Sequence, residues 1–180
     1  MTFEATPLPG AYVVRYEPHV DERGSFARVF DADAFAGRGL ETAFPQHSVA
    51  RNARANLVRG MHFQAGSHAE AKLVRCCAGG IFDVMVDVRP DSPAFGRWFG
   101  LRLDACETAM LYVPRGFAHG YQTLTETSEV HYLISERHEP AAARGFRWDD
   151  PHVGIGWPLA APSVSARDAA LPLLAELALS

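Results

Sequence analysis

The chain has little cysteine, no long apolar run and no excess of basic charge, and each shortage removes a class of function. Three cysteines in 180 residues cannot build a disulfide framework. Cys76 and Cys77 are adjacent, so a strand would point them to opposite faces, and Cys106 stands alone. They read as free thiols, and no CxxC or paired ligand spacing suggests structural zinc. No apolar stretch approaches the roughly 20 residues that span a bilayer. Residues Met1 to Val14 lack the basic start and apolar centre of a signal peptide. The expectation is a cytoplasmic protein with no membrane partner. With 17 Lys and Arg against 21 Asp and Glu, and a net charge of −4, there is no footprint for nucleic acid, and any anionic ligand must be met by a local cluster. Repeats, linkers and low-complexity tracts are also missing. At 48% hydrophobic, residues 1–180 are expected to form a single domain with a sizeable core.

What is present is a succession of short apolar runs cut by Gly, Pro, Asp and Ser from Tyr12 to about Ile134, an all-β pattern. The clearest strand is Ile81 to Arg89. Phe82, Val84, Val86 and Val88 form one face for a core, and Ile81, Asp83, Met85, Asp87 and Arg89 form a mixed one. Further strands are expected at Leu73–Cys77, Trp98–Leu103, Met110–Val113, Tyr121–Thr125 and Glu129–Ile134. Strands so short and frequent favour a sandwich or barrel. A short helix is expected between Asp31 and Leu40, ended by Gly37 or Gly39. A second is expected from Ala169 to Leu179, where Leu173, Leu174, Leu177 and Ala178 have helical spacing and Pro172 falls in the first turn.

Two polar clusters interrupt the apolar pattern. Arg59-Gly60-Met61-His62-Phe63-Gln64, read as a strand, turns Arg59, Met61 and Phe63 one way and Gly60, His62 and Gln64 the other, so that His62 and Gln64 line one surface. From this segment alone, His62 is equally a core histidine or a functional one. The second cluster, Pro114-Arg115-Gly116-Phe117-Ala118-His119-Gly120, resembles the second half of the cupin signature, in which a turn delivers a histidine to the mouth of a double-stranded β-helix, the cupin jelly roll. Metal cupins place a second histidine two residues after the first, and this chain has Gln64 there. His68 and Glu70 lie near, yet three ligands at the proper spacing do not appear, so no metal and no other cofactor is expected. An imidazole without a metal is free to act as a base near neutral pH.

Read in order, Asp21-Glu22-Arg23-Gly24-Ser25-Phe26, Arg59 to Gln64, Lys72-Leu73-Val74-Arg75, Phe82-Asp83-Val84, Asp87-Val88-Arg89, Ser92-Pro93, Pro114 to Gly120, Tyr132, Trp148-Asp149-Asp150-Pro151, Trp157-Pro158 and Ser165-Ala166-Arg167-Asp168 give a wider match. Across roughly residues 10 to 172 the chain resembles the dTDP-4-dehydrorhamnose 3,5-epimerase family, metal-independent cupins that epimerise nucleotide-linked 4-keto-6-deoxy sugars. The resemblance implies His62 as the base, Asp168 as the carboxylate that pairs with it, Lys72 as the cation near the sugar C4 oxygen, and Tyr132 as the acid on the opposite face. It further implies that Arg23, Arg59 and Arg167 bind or neighbour a diphosphate, which suits guanidinium forks. Gln46 would lie near the nucleobase, and Asp83 and His119 in the pocket. A homodimer is implied, in which the N-terminal segment, with Arg23 and Phe26, completes the partner's site.

The departures bear on the substrate. Arg28 stands where family members often have an acidic residue, Ser48 where an asparagine is frequent, and His138 where an aromatic flanks the sugar. The first two leave the nucleobase open; the third leaves open whether one or two carbons are inverted. The resulting expectation is an isomerase acting on an NDP-4-keto-6-deoxyhexose at C3, and at C5 as well, in deoxysugar biosynthesis for a polysaccharide or glycosylated metabolite. The rivals are a 3-epimerase, a 3,4-ketoisomerase, a non-catalytic nucleotide-sugar-binding cupin, and a metal cupin using His62, His68 and His119.

Overall fold

Runs of two to eight residues, the longer ones rich in β-branched and aromatic side chains, form the strands of the computed structural model, which describes residues 1–178. They are β1 (Thr2–Ala5), β2 (Tyr12–Arg15), β3 (His19–Asp21), β4 (Gly24–Phe26), β5 (Gln46–Asn52), β6 (Leu57–Gln64), β7 (Lys72–Ala78), β8 (Gly80–Asp87), β9 (Trp98–Asp104), β10 (Ala109–Val113), β11 (Phe117–Thr123), β12 (Ser128–Ile134), β13 (Ala143–Gly145) and β14 (Ser163–Val164). Helix α1 (Ala32–Ala36) follows β4, and α2 (Ala166–Ala169) follows β14. One sheet has the order β1-β2-β10-β7-β12-β5, the other β13-β6-β11-β8-β9, with β14 added parallel to β6. Strands β3 and β4 form a separate hairpin.

Alternation sorts the side chains into three apolar layers. Val13, Val74, Ile81, Met85, Leu111, Phe117, Tyr121 and Val130 fill the space between the sheets. Val84, Val86, Met61 and Phe63 lie on the outer face of the second sheet under Phe146, Val153 and Leu174 from the C-terminal region. Val14, Leu73, Met110 and Tyr112 back the first sheet under Phe35 of α1. Thus β8 has the two faces its alternation predicts, but both are buried. The C-terminal chain covers the outer one, and Asp83 and Asp87 are 0% exposed within the strand. Asp87 braces a turn, accepting from Arg89 Nε at 2.9 Å and Ser92 Oγ at 2.6 Å.

Two expectations fail here. Strand β11 is continuous from Phe117, so Ala118 and His119 belong to a strand and not to a turn. Nor does a helix run from Ala169. A single turn ends at Ala169, Leu173 is extended, and only Leu174–Glu176 turn again, as a 3₁₀ helix. Tertiary bonds account for this: the Pro172 carbonyl accepts from Arg147 N at 2.9 Å, and Leu174 N donates to Asp150 Oδ2 at 2.7 Å. Bonds to the body replace the helical ladder, and Leu174 still packs on the sheet as a covering residue. Leu179 lies outside the described residues. Among those described, no helix is long and apolar enough to cross a membrane.

At the crossing of β6 and β11 the backbones nearly touch. A Cβ on Gly60 would lie 2.7 Å from Gly120 Cα, and Gly60 has φ of +130°, where an L side chain is strained. Gly60→Ala should therefore cost about 3 kcal/mol, read as an earlier denaturant midpoint with unchanged m-value.

Candidate active site

The open end of the barrel holds a cavity of about 410 Å³ whose walls come from both sheets. Gln46, Ser48 and Ala50 on β5, Lys72 on β7, and Tyr132 and Ile134 on β12 line it from the first sheet. Arg59 and His62 on β6, with His119 and Tyr121 on β11, line it from the second. Glu70, His138 and the α2 region, with Ser165, Arg167 and Asp168, complete the rim. The cavity is of ordinary size for a small-molecule site.

His62 and Asp168, 106 residues apart, meet here with Nε2 at 2.8 Å from Oδ1. Ser165 caps α2 by accepting from Asp168 N at 3.1 Å, which turns the buried Asp168 carboxylate inward, and Gly60 N donates to its Oδ2 at 3.3 Å. An ionised carboxylate only accepts, so His62 carries its proton on Nε2 and keeps its lone pair on Nδ1. The imidazole pKa lies below its ordinary 6.5, chiefly through burial; Asp168 opposes this by charge and hydrogen bond, and Lys72 and Arg167 reinforce it. The ring is therefore a neutral base at neutral pH, next to a group that stabilises the imidazolium once it forms.

Across the cavity, Lys72 Nζ is 2.8 Å from Glu70 Oε1, both side chains nearly buried. Tyr132 stands beside them on the same sheet, its ring edge-on to His119 at 5.8 Å. Burial, followed by the neighbouring Tyr121, raises the Tyr132 phenol well above its ordinary range, so it is held as a proton donor. Arg59 and Arg167 place two exposed guanidiniums at the rim.

The structure redistributes several sequence assignments. Arg59 faces the cavity with His62 and not away from it, because β6 carries an extra residue against β11: His62 pairs with His119 but Arg59 with Tyr121. A bulge of this kind resets the alternation. Gln64 does not line the cavity; it is buried, donating to the carbonyls of His68 and Arg137 and accepting from Glu139 N, and so ties two loops to the barrel. Asp83, expected in the pocket, is fully buried behind it and bonds His119 Nε2 at 2.7 Å, so it can act on a ligand only through His119. Gln46 and His138 share one edge, with Gln46 Oε1 accepting from His138 N at 2.8 Å. Arg23 and Phe26 lie on the β3–β4 hairpin outside this chain's own cavity, and Arg28 pairs with Asp31 away from it. Glu70, Tyr121 and the adjoining Asn52 belong to the site but not to the expected set. The i, i+2 spacings Glu70–Lys72 and His119–Tyr121 were the signal for the first two; Asn52 had none. Among the described residues, no three His, Cys, Asp or Glu side chains gather in a way that would hold a metal ion.

A family model described as dTDP-4-dehydrorhamnose 3,5-epimerase matches residues 5–176. The chain belongs to that family. The dTDP-4-dehydrorhamnose 3,5-epimerase of Salmonella typhimurium is 38% identical over 97% of this chain and 96% of its own length. The dTDP-6-deoxy-D-glucose-3,5-epimerase of Legionella pneumophila, solved in complex with dTDP-4-keto-L-rhamnose, superposes with a TM-score of 0.93 at 31% identity, covering 98% of this chain and 94% of that one. A 3′-monoepimerase from Streptomyces bikiniensis, in complex with dTDP-quinovose, superposes at 0.87 with 33% identity, covering 95% and 88%. Membership makes the chain an isomerase-family cupin, as its motifs imply.

Proposed function

We propose that this epimerase-family protein inverts C3 and C5 of a nucleotide-linked 4-keto-6-deoxyhexose of the dTDP-4-dehydro-6-deoxyglucose type. One observation carries the reading: a carboxylate-held imidazole on the second sheet faces a phenol and an ammonium on the first, around one cavity. A C4 ketone acidifies both adjacent C–H bonds, and inversion needs a base and an acid on opposite faces. His62 Nδ1 takes the proton, and the enolate charge that develops on the C4 oxygen is met by Lys72. Tyr132 then delivers a proton from the other face. Each inversion leaves imidazolium and phenolate, which water resets. Arg59 and Arg167 suit the diphosphate, Gln46 the nucleobase end and His119 the sugar, with Asp83 holding the His119 ring.

The partner is proposed to be a second copy of the chain. Val20 and Phe26 on the hairpin are 76% and 74% exposed, Val49 on edge strand β5 is 53% exposed, and the Arg23 side chain is 84% exposed. A hairpin of this composition, unused by its own cavity, suits a neighbour's site. A 3-epimerase is the second reading, favoured by His138 on the cavity rim, where the family resemblance implies an aromatic beside the sugar, and by the likeness to a 3′-monoepimerase.

The test is turnover of dTDP-4-keto-6-deoxyglucose, with product configuration read by NMR. A product inverted at C3 and C5 supports the proposal, one inverted at C3 alone supports the second reading, and no reaction with any nucleotide form of the sugar overturns both. The pH profile adds a check. The base works when neutral, so its acid limb should fall below 6.5, the ordinary value that burial depresses. Asp168→Asn removes the carboxylate that raises the His62 pKa, so the limb should move to still lower pH while kcat falls about tenfold through loss of a charge-assisted bond. A limb moving to higher pH would contradict the assigned pair.

A further inference from the structure

Behind Tyr132 runs a chain of polar groups that ends at the rim arginine. Asn52, only 4% exposed, sits in register with Ser128 and donates from Nδ2 to Ser128 Oγ at 3.1 Å and to the Ser128 carbonyl at 3.4 Å. A carbonyl cannot donate, so the amide orientation is fixed and Oδ1 faces the other way. Two donors share that oxygen: Arg59 Nε at 2.9 Å and the Tyr121 hydroxyl at 3.2 Å. Tyr121 thereby commits its one proton to Asn52 and is left with lone pairs free to accept, and Tyr132 lines the same cavity, the two rings lying 6.5 and 5.8 Å from the His119 ring. The order is Tyr132 to Tyr121 to Asn52, with Arg59 arriving from the rim.

We propose that Tyr121 and Asn52 are positioning residues that aim the Tyr132 phenol at the sugar and couple it to the arginine that meets the diphosphate; this rests on Tyr132 being the acid. When Tyr132 gives its proton to carbon, a C–H bond forms, the Tyr132 O–H bond breaks and the electron pair stays on the phenol oxygen. Tyr121 then turns its hydroxyl from Asn52 to that phenolate, and Asn52 retains Arg59. Water later reprotonates Tyr132. A charge-assisted O–H to O⁻ bond is about twice as strong as the neutral bond it replaces, so the device stabilises the product of proton delivery. Asn52 serves both ends of the substrate, and Tyr121 serves one.

The two positions therefore predict different kinetic signatures. In deuterium oxide with dTDP-4-keto-6-deoxyglucose, Tyr121→Phe should lower the ratio of inversion to deuterium wash-in about tenfold, with KM unchanged. Asn52→Ala should lower that ratio and also raise KM severalfold, because Arg59 loses its anchor. Tyr121→Phe conserves volume and keeps the fold testable if Asn52→Ala is unstable. An inversion-to-exchange ratio equal to that of the unsubstituted protein in Tyr121→Phe would overturn the proposal. So would equal KM changes in both variants. Absence of wash-in by the unsubstituted protein would instead defeat the epimerase reading itself, and this proposal with it.

Discussion

His62→Ala abolishes deuterium exchange into the sugar, with a loss of about four orders of magnitude expected when a general base is removed. The cavity presents Asp168, Glu70, His119 and His138 as other groups of suitable chemistry, but none replaces it. The Asp168 carboxylate is turned onto His62 and Gly60, Glu70 is paired with Lys72, His119 is paired with buried Asp83, and His138 is exposed on the rim beside Gln46. Removing the ring also leaves a buried carboxylate with one fewer donor, at a cost of about 1–3 kcal/mol. His62→Asn, which can still donate to Asp168, separates loss of the base from loss of fold. It should be as inactive as alanine while melting near the unsubstituted protein. Exchange retained in His62→Asn would assign the base elsewhere.

Tyr132→Phe gives the second large effect, and a different one. Wash-in continues, since His62, Asp168 and Lys72 are intact. Inversion at the carbon that depends on the phenol falls about a hundredfold or more. The variant loses only a hydroxyl, and Tyr121 keeps its bond to Asn52, so folding is little changed. Mass and NMR analysis of the recovered sugar distinguish label with retained configuration from label with inversion. Equal inversion in the variant would remove Tyr132 as the acid.

Most of the barrel was legible because its strands alternate or run apolar, and β8 shows the limit of that signal. Its period assigns two faces, but the burial of Asp83 and Asp87 depends on what covers each face, which is a tertiary fact. The C-terminal segment shows the converse: leucines at helical spacing are satisfied by packing on a sheet while Pro172 and Leu174 bond to Arg147 and Asp150. In the site, His62, Lys72, Tyr132 and Asp168 were named from motif order, and they converge on one cavity. Arg59 was assigned to the wrong face because a bulge leaves no periodic trace. Gln64 was read through its absence as a metal ligand, whereas its visible work is to hold the loops ending at His68 and Glu139. Asn52 carried no sequence signal of its own, and Tyr121 only its spacing from His119. Their roles come from hydrogen bonds between residues 69 positions apart.

The central claim is that an imidazole and a phenol on facing sheets move protons on opposite faces of one keto sugar. The most direct measurement is incubation of the unsubstituted protein with dTDP-4-keto-6-deoxyglucose in deuterium oxide, counting deuterium at C3 and C5 against configuration at each carbon. Solvent-derived label is expected at both carbons, both inverted. Unlabelled sugar of unchanged configuration, from this and every other nucleotide form, would contradict it.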